Sequence, residues 1–287
     1  MGKVEIKLIR DDKKEFVIDG VLWGIPSDDG LKGFDSVDFD ARYTDLAYGD
    51  GGIEENGRVG VKDRTIKAIL RNPALSETQR HVVQSFFNPK HHFKLYITYM
   101  GVQRWCEGRL AGFQQSTKNI YKRLQIMFTL RSTMPYLQSV DDFGKDINSS
   151  IPLACFPYQS RVNYPWGCGV TRFAQFVELE NDGDVETFFR CVIVANGTVK
   201  NPKLLKDDKY IRILDTLQRG DVYEIDFVKK PLTVKKNGAN AIGKTDRTSN
   251  FLDMLLDVGA SKISFDAEQG ANDMSVTLYY NKRYTGV

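Results

Sequence analysis

Apolar and polar side chains alternate with a period of two through much of this sequence, and this alternation constrains the fold more than any other feature. The segment LQIMFTL, residues 124–130, is apolar at every second position. The same pattern recurs in residues 223–227, 263–267 and 274–280. Strands of antiparallel sheets with one buried face have this pattern. The sequence therefore predicts a mainly β protein.

Turn sequences separate these segments at short intervals. They are NDGD at 181–184, ANGT at 195–198, QRGD at 218–221 and KKNG at 235–238. The Asn-Gly pairs that begin at Asn196 and Asn237 fit two-residue hairpin turns, which need positive φ at both central positions. The second half of the chain is accordingly predicted to be an antiparallel β-sandwich.

One helix is predicted in the first half. Ser76 fits an N-cap with Gln79 completing a capping box, and Pro89 ends the segment. Its apolar residues, Val82, Val83, Phe86 and Phe87, are spaced as a stripe that faces the core. A second helical turn from about residue 249 to Gly259 is an open alternative to a packed loop.

The alternation lapses between Ser139 and Tyr164, where Gly, Asp, Asn, Ser and Pro accumulate. This stretch has the composition of a linker or long loop. Two domains are predicted from it. Residues 1–138 form an α+β domain with one helix, and residues 139–287 form an all-β domain.

Composition excludes several classes of protein. The 287 residues carry a net charge of only +3, which argues against a nucleic-acid binder. The N-terminus has no apolar signal region and no window approaches a membrane span, so we expect a cytoplasmic site of synthesis. Four cysteines without paired spacing are expected to be reduced thiols, and three histidines are too few for a metal or catalytic cluster. No catalytic, metal or cofactor residues are predicted.

One segment matches a nucleotide-binding motif. GANAIGKT, Gly238–Thr245, satisfies G-x-x-x-x-G-K-[ST], in which backbone N–H groups, a lysine and a hydroxyl bind phosphate and magnesium. Such a loop must follow a buried strand and open a helix within a parallel sheet. Here a short, half-polar strand precedes it and KTDRTSN follows it. The context predicts a hairpin turn followed by a polar loop, and no nucleotide site.

The second half of the chain resembles the distal tail proteins of long-tailed phages, in the siphovirus tail-component group. The resemblance lies in VELENDGDVETFFRCVIVANGTVKNPKL, in YIRILDTLQRGDVYEIDF, and in the ending from VKKNGANAIGKT to YYNKRYTGV. The first half is similar in GFDSVDFDARYTDLAYGDGGIEENGRVGVKDRTIKAIL and in the helix after it. The family has the motif Leu-x-Pro-Gly-x-Asn near its C-terminus. Here the corresponding segment LDVGA, residues 256–260, lacks the Pro and the Asn.

The resemblance implies a structural virion protein at the tail tip. Its members form a hexameric ring that joins the tail tube and tape measure to the receptor-binding proteins. The N-terminal domain makes the ring, and a galectin-like or jelly-roll-like sandwich projects from it. An alternative function is a carbohydrate-binding module, with Tyr158, Tyr164 and Trp166 as an aromatic platform unless they pack in a core or loop.

The loop TDLAYGDGGIEENGRV, which begins at Thr44, is long and poor in residues that could pack on its own domain. From the extended loop of the family we expect it to lie across the neighbouring subunit. Leu46, Tyr48 and Ile53 would be its buried anchors, with a polar rim of Asp45, Asp50, Glu54 and Glu55. The alternative is a disordered hairpin tip.

Overall fold

The computed structural model describes residues 4–27, 29–116, 123–140, 143–146, 148–152, 169–173, 176–228 and 231–287. Contacts divide the chain into two units. Unit 1 comprises Met1–Val140 and Arg283–Val287, and unit 2 comprises Asp141–Lys282. Both are mainly β, as the alternation predicted.

Unit 1 contains fourteen of the described strands. They are β1 (Glu5–Arg10), β2 (Glu15–Ile18), β3 (Trp23–Gly24), β4 (Leu31–Lys32), β5 (Phe39–Asp40), β6 (Tyr43–Asp45), β7 (Gly52–Glu54), β8 (Arg58–Val59), β9 (Lys62–Leu70), β10 (His92–Tyr99), β11 (Val102–Gln115), β12 (Gln125–Ser132), β13 (Leu137–Ser139) and β27 (Arg283–Tyr284). Ten of them form one antiparallel sheet in the order β2-β1-β10-β11-β12-β9-β3, with β4 on β9, β13 on β11 and β27 on β13.

The core of unit 1 lies on one face of this sheet. Ile126, Phe128 and Leu130 of β12 are fully or almost fully buried, which confirms the predicted strand. Helix α1 (Ser76–Phe86) adds Val83 and Phe86 to the same core. Burial of these apolar side chains is the main source of stability for the unit.

The predicted capping box at the start of α1 is wrong. A 3-10 turn, Pro73–Leu75, precedes the helix, and the side chain of Asn72 accepts a hydrogen bond from the backbone N–H of Ala74. Ser76 is already the first residue of α1, and its buried hydroxyl has no hydrogen-bond partner among the described residues. Because the chain becomes helical four residues earlier than the cap pattern indicates, Asn72 caps the 3-10 turn that leads into α1.

Unit 2 contains two larger antiparallel sheets and one pair of strands. Its described strands are β14 (Phe143–Asp146), β15 (Asn148–Pro152), β16 (Gly169–Phe173), β17 (Phe176–Asn181), β18 (Phe189–Ala195), β19 (Val199–Lys206), β20 (Lys209–Arg212), β21 (Thr216–Leu217), β22 (Val222–Asp226), β23 (Thr233–Lys236), β24 (Ala239–Asn240), β25 (Gly259–Gln269) and β26 (Met274–Tyr280). One sheet has the order β14-β26-β18-β22-β23-β24, and the other β17-β25-β19-β20 with β21 on β19. The pair is β15-β16.

A single hydrophobic core joins the two larger sheets. It contains Tyr223 and Ile225 from the first sheet and Leu204 and Ile263 from the second. All four apolar residues of β26 that alternate from Met274 to Tyr280 are buried in it. The predicted antiparallel sandwich is therefore confirmed.

The two Asn-Gly pairs form different kinds of connection. Asn237 and Gly238 have φ of 50° and 83° and connect β23 to β24 as a two-residue hairpin, as predicted. The turn at Asn196 is not a hairpin, because β18 and β19 belong to different sheets. There the backbone N–H of Asn196 donates to the carbonyl of Asp273, 2.7 Å away, and the chain crosses the sandwich.

The segment that follows residue 249 is a packed loop and not a helix. Met254 and Leu256 are fully buried, and Leu256 forms a β-bridge with Thr187. The buried Lys206 holds the loop through its ammonium group, which is 2.6 Å from a carboxylate oxygen of Asp257. Apolar burial on one side and this ion pair on the other fix the loop without helical hydrogen bonds.

Candidate assembly surface

Residues 39–59 form a two-stranded arm, where the sequence predicted an extended loop. β5 pairs with β8 and β6 pairs with β7, both antiparallel, and neither pair joins another sheet of the described strands. Each limb is about ten residues long, which corresponds to an extended length of roughly 30 Å. At the base of the arm, Lys62 and Asp38 form an ion pair with a nitrogen–oxygen distance of 2.6 Å.

The arm exposes most of its large apolar side chains. Tyr48 at the tip is 96% exposed, and the proposed anchors Leu46 and Ile53 are 44% and 60% exposed. Phe39 and Tyr43 are also exposed, although the sequence pattern did not indicate them as anchors. Their aromatic character in an otherwise polar stretch was the available signal.

Register places the anchors on one face of the arm. Thr44 lies opposite Ile53, so Leu46, two residues beyond Thr44, points to the same side as Ile53. Tyr43 points to the other side, opposite Glu54. The arm therefore presents Leu46 and Ile53 together, Tyr43 on the reverse face and Tyr48 at the end.

The arm is poorly stabilised by its own contacts. Its strands are two or three residues long, and a single two-stranded hairpin is at best marginally stable in water. One local contact is a hydrogen bond of 2.7 Å from the Thr44 hydroxyl to the Glu55 carboxylate. The segment 39–59 carries five acidic and two basic side chains, a net charge of −3. An exposed apolar, acidic hairpin of this kind has the composition of a binding element.

A second exposed apolar point lies at the β10–β11 turn. Tyr99 pairs with Val102, which leaves Met100 and Gly101 as the two loop residues with φ of 49° and 86°. For a residue as bulky as methionine the left-handed conformation costs about 1–2 kcal/mol relative to glycine. Met100 is nevertheless 69% exposed, with Tyr99 and Val102 also exposed beside it.

The nucleotide-like motif has the geometry of a hairpin and a 3-10 turn. Its first glycine lies in the β23–β24 turn, and Ile242–Lys244 form the 3-10 turn. The Thr245 hydroxyl donates to the carbonyl of Ile242 at 2.7 Å, and the Lys244 ammonium lies 2.9 Å from the Asp215 carboxylate. The two groups that would hold magnesium and phosphate are thus engaged within the chain.

Asp215 is the centre of a polar network on this side of unit 2. One of its oxygens accepts hydrogen bonds from Tyr223, Lys236 and Lys244 at 2.8, 3.0 and 2.9 Å. Burial opposes ionisation, but the bonds from Lys244, Tyr223 and Lys236 outweigh it and hold the pKa of Asp215 far below its usual range. Burial and the bond to Asp215 raise the pKa of Tyr223.

Asp221 completes the network through the next turn. Hydrogen bonds from the backbone of Gln218, from Asn237 and from Lys236 lower the pKa of Asp221 to about 2. The predicted QRGD turn thereby joins the Asn237 hairpin. These contacts make the network a structural connection between turns.

The other sequence candidates do not form a site in the described part of the chain. Tyr158, Tyr164 and Trp166 lie outside the described residues, as do two of the four cysteines. Cys106 and Cys191 are buried. Within the described ranges no group of three or more His, Cys, Asp or Glu could hold a metal ion, and no helix is long and apolar enough to cross a membrane.

The chain was compared with protein-family models and with solved structures. Residues 182–284 match the model of the siphovirus-type tail component, C-terminal domain. The Dit protein of phage SPP1, a hub protein of phages that infect Gram-positive bacteria, has the same fold with a TM-score of 0.65 at 9% identity. This alignment covers 97% of the chain and 98% of SPP1 Dit. Residues 182–284 therefore match a siphovirus-type tail component domain, and the chain as a whole has the fold of SPP1 Dit.

Two further comparisons add little to this assignment. A chain of the activated phage p2 baseplate with calcium aligns over the whole length of both chains, with a TM-score of 0.45 and 11% identity. No curated protein matches the sequence. In the described part of the chain, the arm of residues 39–59 exposes Phe39, Tyr43, Leu46, Tyr48 and Ile53.

Proposed function

We propose that the protein is the distal tail subunit of a long-tailed phage and that its copies form a hexameric ring. The ring joins the tail tube and tape measure to the hub and receptor-binding proteins at the tip of the virion tail. The observation that carries this proposal is the arm of residues 39–59. It exposes five large apolar side chains, and its strands are only two or three residues long.

A contact between the arm and a second copy would bury this apolar surface. If the arm binds a different surface of the next copy, the contact is heterologous and repeats around a ring when its rotation closes. Leu46, Tyr48 and Ile53 are the anchors of this contact, with Phe39 and Tyr43 added from the structure. Asp45, Asp50, Glu54 and Glu55 form the polar rim.

Light scattering of the purified protein tests the assembly. Six copies of the 32.6 kDa chain give a particle of about 196 kDa. Replacing residues 39–59 by a short Gly-Ser linker should leave a folded monomer, because Phe39 and Val59 are paired neighbours and the linker need span only the base of the arm.

A point substitution tests whether assembly depends on the anchor Tyr48 or on the apolar surface of unit 1 in general. Tyr48→Ser should weaken assembly by about 1–3 kcal/mol per contact, the range of an aromatic hot spot. Val21→Ser is the matched control, since Val21 is an exposed apolar residue of unit 1 (72%) outside the arm. If the ring still forms with Tyr48→Ser and also without the arm, the arm is not part of the interface.

A further inference from the structure

We propose that the tip of the β10–β11 hairpin is the surface on which the arm of the next copy binds. This inference rests on the proposed ring. A head-to-tail contact needs two different surfaces on each chain, and the arm is only one of them. The second surface must be apolar and must accept an acidic partner.

Met100 supplies the apolar part of this surface. Asn-Gly is the favoured sequence for a two-residue turn with positive φ at both positions, yet this turn carries Met-Gly. Folding alone therefore disfavours methionine at position 100. A strained, exposed side chain of this size is characteristic of a functional contact, and the flexible thioether of methionine adapts well to an aromatic partner such as Tyr48.

The β10–β11 hairpin as a whole and the arm carry opposite net charges. Thr98–Gln103 contains no charged residue, so an apolar contact there buries no ion. The hairpin from His92 to Gln115 carries three basic and one acidic side chain, a net charge of +2, against −3 for residues 39–59. Opposite charges on the two elements favour encounter of an arm with a tip and disfavour contact between two arms.

Among the described residues of unit 1 outside the arm, the other exposed apolar residues are more widely spaced in the sequence: Val17, Val21, Val61, Leu75, Val82 and Val287. Val21 follows β2, and Val82 lies on α1. At the hairpin tip, Tyr99, Met100 and Val102 are within four consecutive residues. Val140, also exposed, lies one residue beyond Ser139, which pairs with Arg104 of β11.

Cysteine cross-linking tests the contact in the full-length protein. Tyr48→Cys and Met100→Cys are made separately, each with Cys155→Ser and Cys168→Ser, and are oxidised alone and after mixing. We expect a disulfide-linked dimer only in the mixture. A ring in light scattering without a mixed dimer would refute this inference and leave the ring intact, whereas dimers of Tyr48→Cys alone would show arm-to-arm contact and refute it. Absence of any oligomer of the natural sequence would refute the proposed function, and this inference with it.

Met100→Asn distinguishes a contact from a structural role. Asparagine suits the left-handed turn, so the substitution should raise the melting temperature of the monomeric chain that lacks the arm. In the complete chain it should shift the midpoint concentration of ring dissociation upward by at least tenfold. A higher melting temperature with unchanged assembly, or a lower melting temperature, would each contradict the inference.

Discussion

At the residue scale, Asp215 is held ionised by three donors on one oxygen, and this arrangement has a pH signature. A carboxylate whose pKa is depressed in the folded state stabilises the protein above its unfolded pKa of about 3.9, and this stabilisation is lost as the pH falls towards the folded value. We expect Asp215→Asn to cost about 1–3 kcal/mol at pH 7. The cost should shrink as the pH falls from about 5 to 2.

Urea unfolding at pH 7, 5 and 3 measures this dependence. Asp253→Asn is the control, because Asp253 is an exposed aspartate of the same unit and its substitution should change the free energy of unfolding by less than about 0.5 kcal/mol. A cost for Asp215→Asn that stays constant with pH would show that the network does not stabilise the charged form.

Lys244 is the residue on which a nucleotide function would depend. Its ammonium pairs with Asp215, but its side chain is half exposed, so Lys244→Ala should cost less than about 1 kcal/mol of stability. We also expect no heat of Mg-ATP binding by calorimetry, before or after the substitution. Micromolar binding that Lys244→Ala abolishes would restore the enzyme hypothesis.

At the scale of elements, the start of α1 gives a matched pair of substitutions. Asn72→Ala should destabilise the protein by about 1 kcal/mol, because it removes the hydrogen bond to the N–H of Ala74. Ser76→Ala should be neutral or stabilising, since the buried hydroxyl has no partner in the described part of the chain. Urea denaturation of both variants checks the assignment. The reverse ranking would return the cap to Ser76.

The strands were predictable because a half-buried strand enforces alternation, as in Ile126, Phe128 and Leu130. Turn sequences were less informative. Asn237-Gly238 and Asn196-Gly197 have the same two residues, but only the first closes a hairpin. The choice between reversing within a sheet and crossing to the other sheet depends on distant partners, here Asp273, which no local pattern encodes.

For the arm, as for the turns, local sequence patterns predict only part of the structure. The sequence predicted an unpacked segment with Leu46, Tyr48 and Ile53 as anchors, and the anchors remain a prediction. The structure shows that Leu46 and Ile53 lie on one face and that Phe39 and Tyr43 are also exposed. Pairing of β6 with β7 could not be predicted, because strands of three residues with few apolar positions carry too little alternation. The partner surface on another copy is not encoded in any local pattern either.

At the scale of the whole molecule, the chain leaves unit 1 after Val140 and returns to it at Arg283. β27 pairs with β13, so the points of exit and return are adjacent. A two-residue strand carries no periodicity, and the sequence therefore gave no signal of this return. The division at residues 138 and 139 remains a proposal from the sequence.

The returning segment makes specific contacts with unit 1. The guanidinium of Arg104 lies 3.9 Å from the centre of the Tyr284 ring and donates to the carbonyl of Gly286. The backbone N–H of Val287 donates to the carbonyl of Phe34 at 3.0 Å. These bonds attach residues 283–287 to two separate parts of unit 1.

Two shortened chains test whether unit 1 folds without unit 2. We expect residues 1–140, joined through Asn-Gly to residues 283–287, to unfold cooperatively and to form the ring, because this chain keeps the arm, the hairpin tip and the returning strand. Residues 1–138 alone should be less stable by at least about 2 kcal/mol, since they lose the cation–π contact and the hydrogen bonds of the return. Gly286→Ala in the joined chain is the control, because a Cβ there would lie 2.5 Å from the Asp35 carbonyl oxygen. This substitution should remove most of the stability that residues 283–287 add to the joined chain. Equal stability of the two chains would show that residues 1–138 suffice, and failure of both to fold would show that unit 1 depends on unit 2.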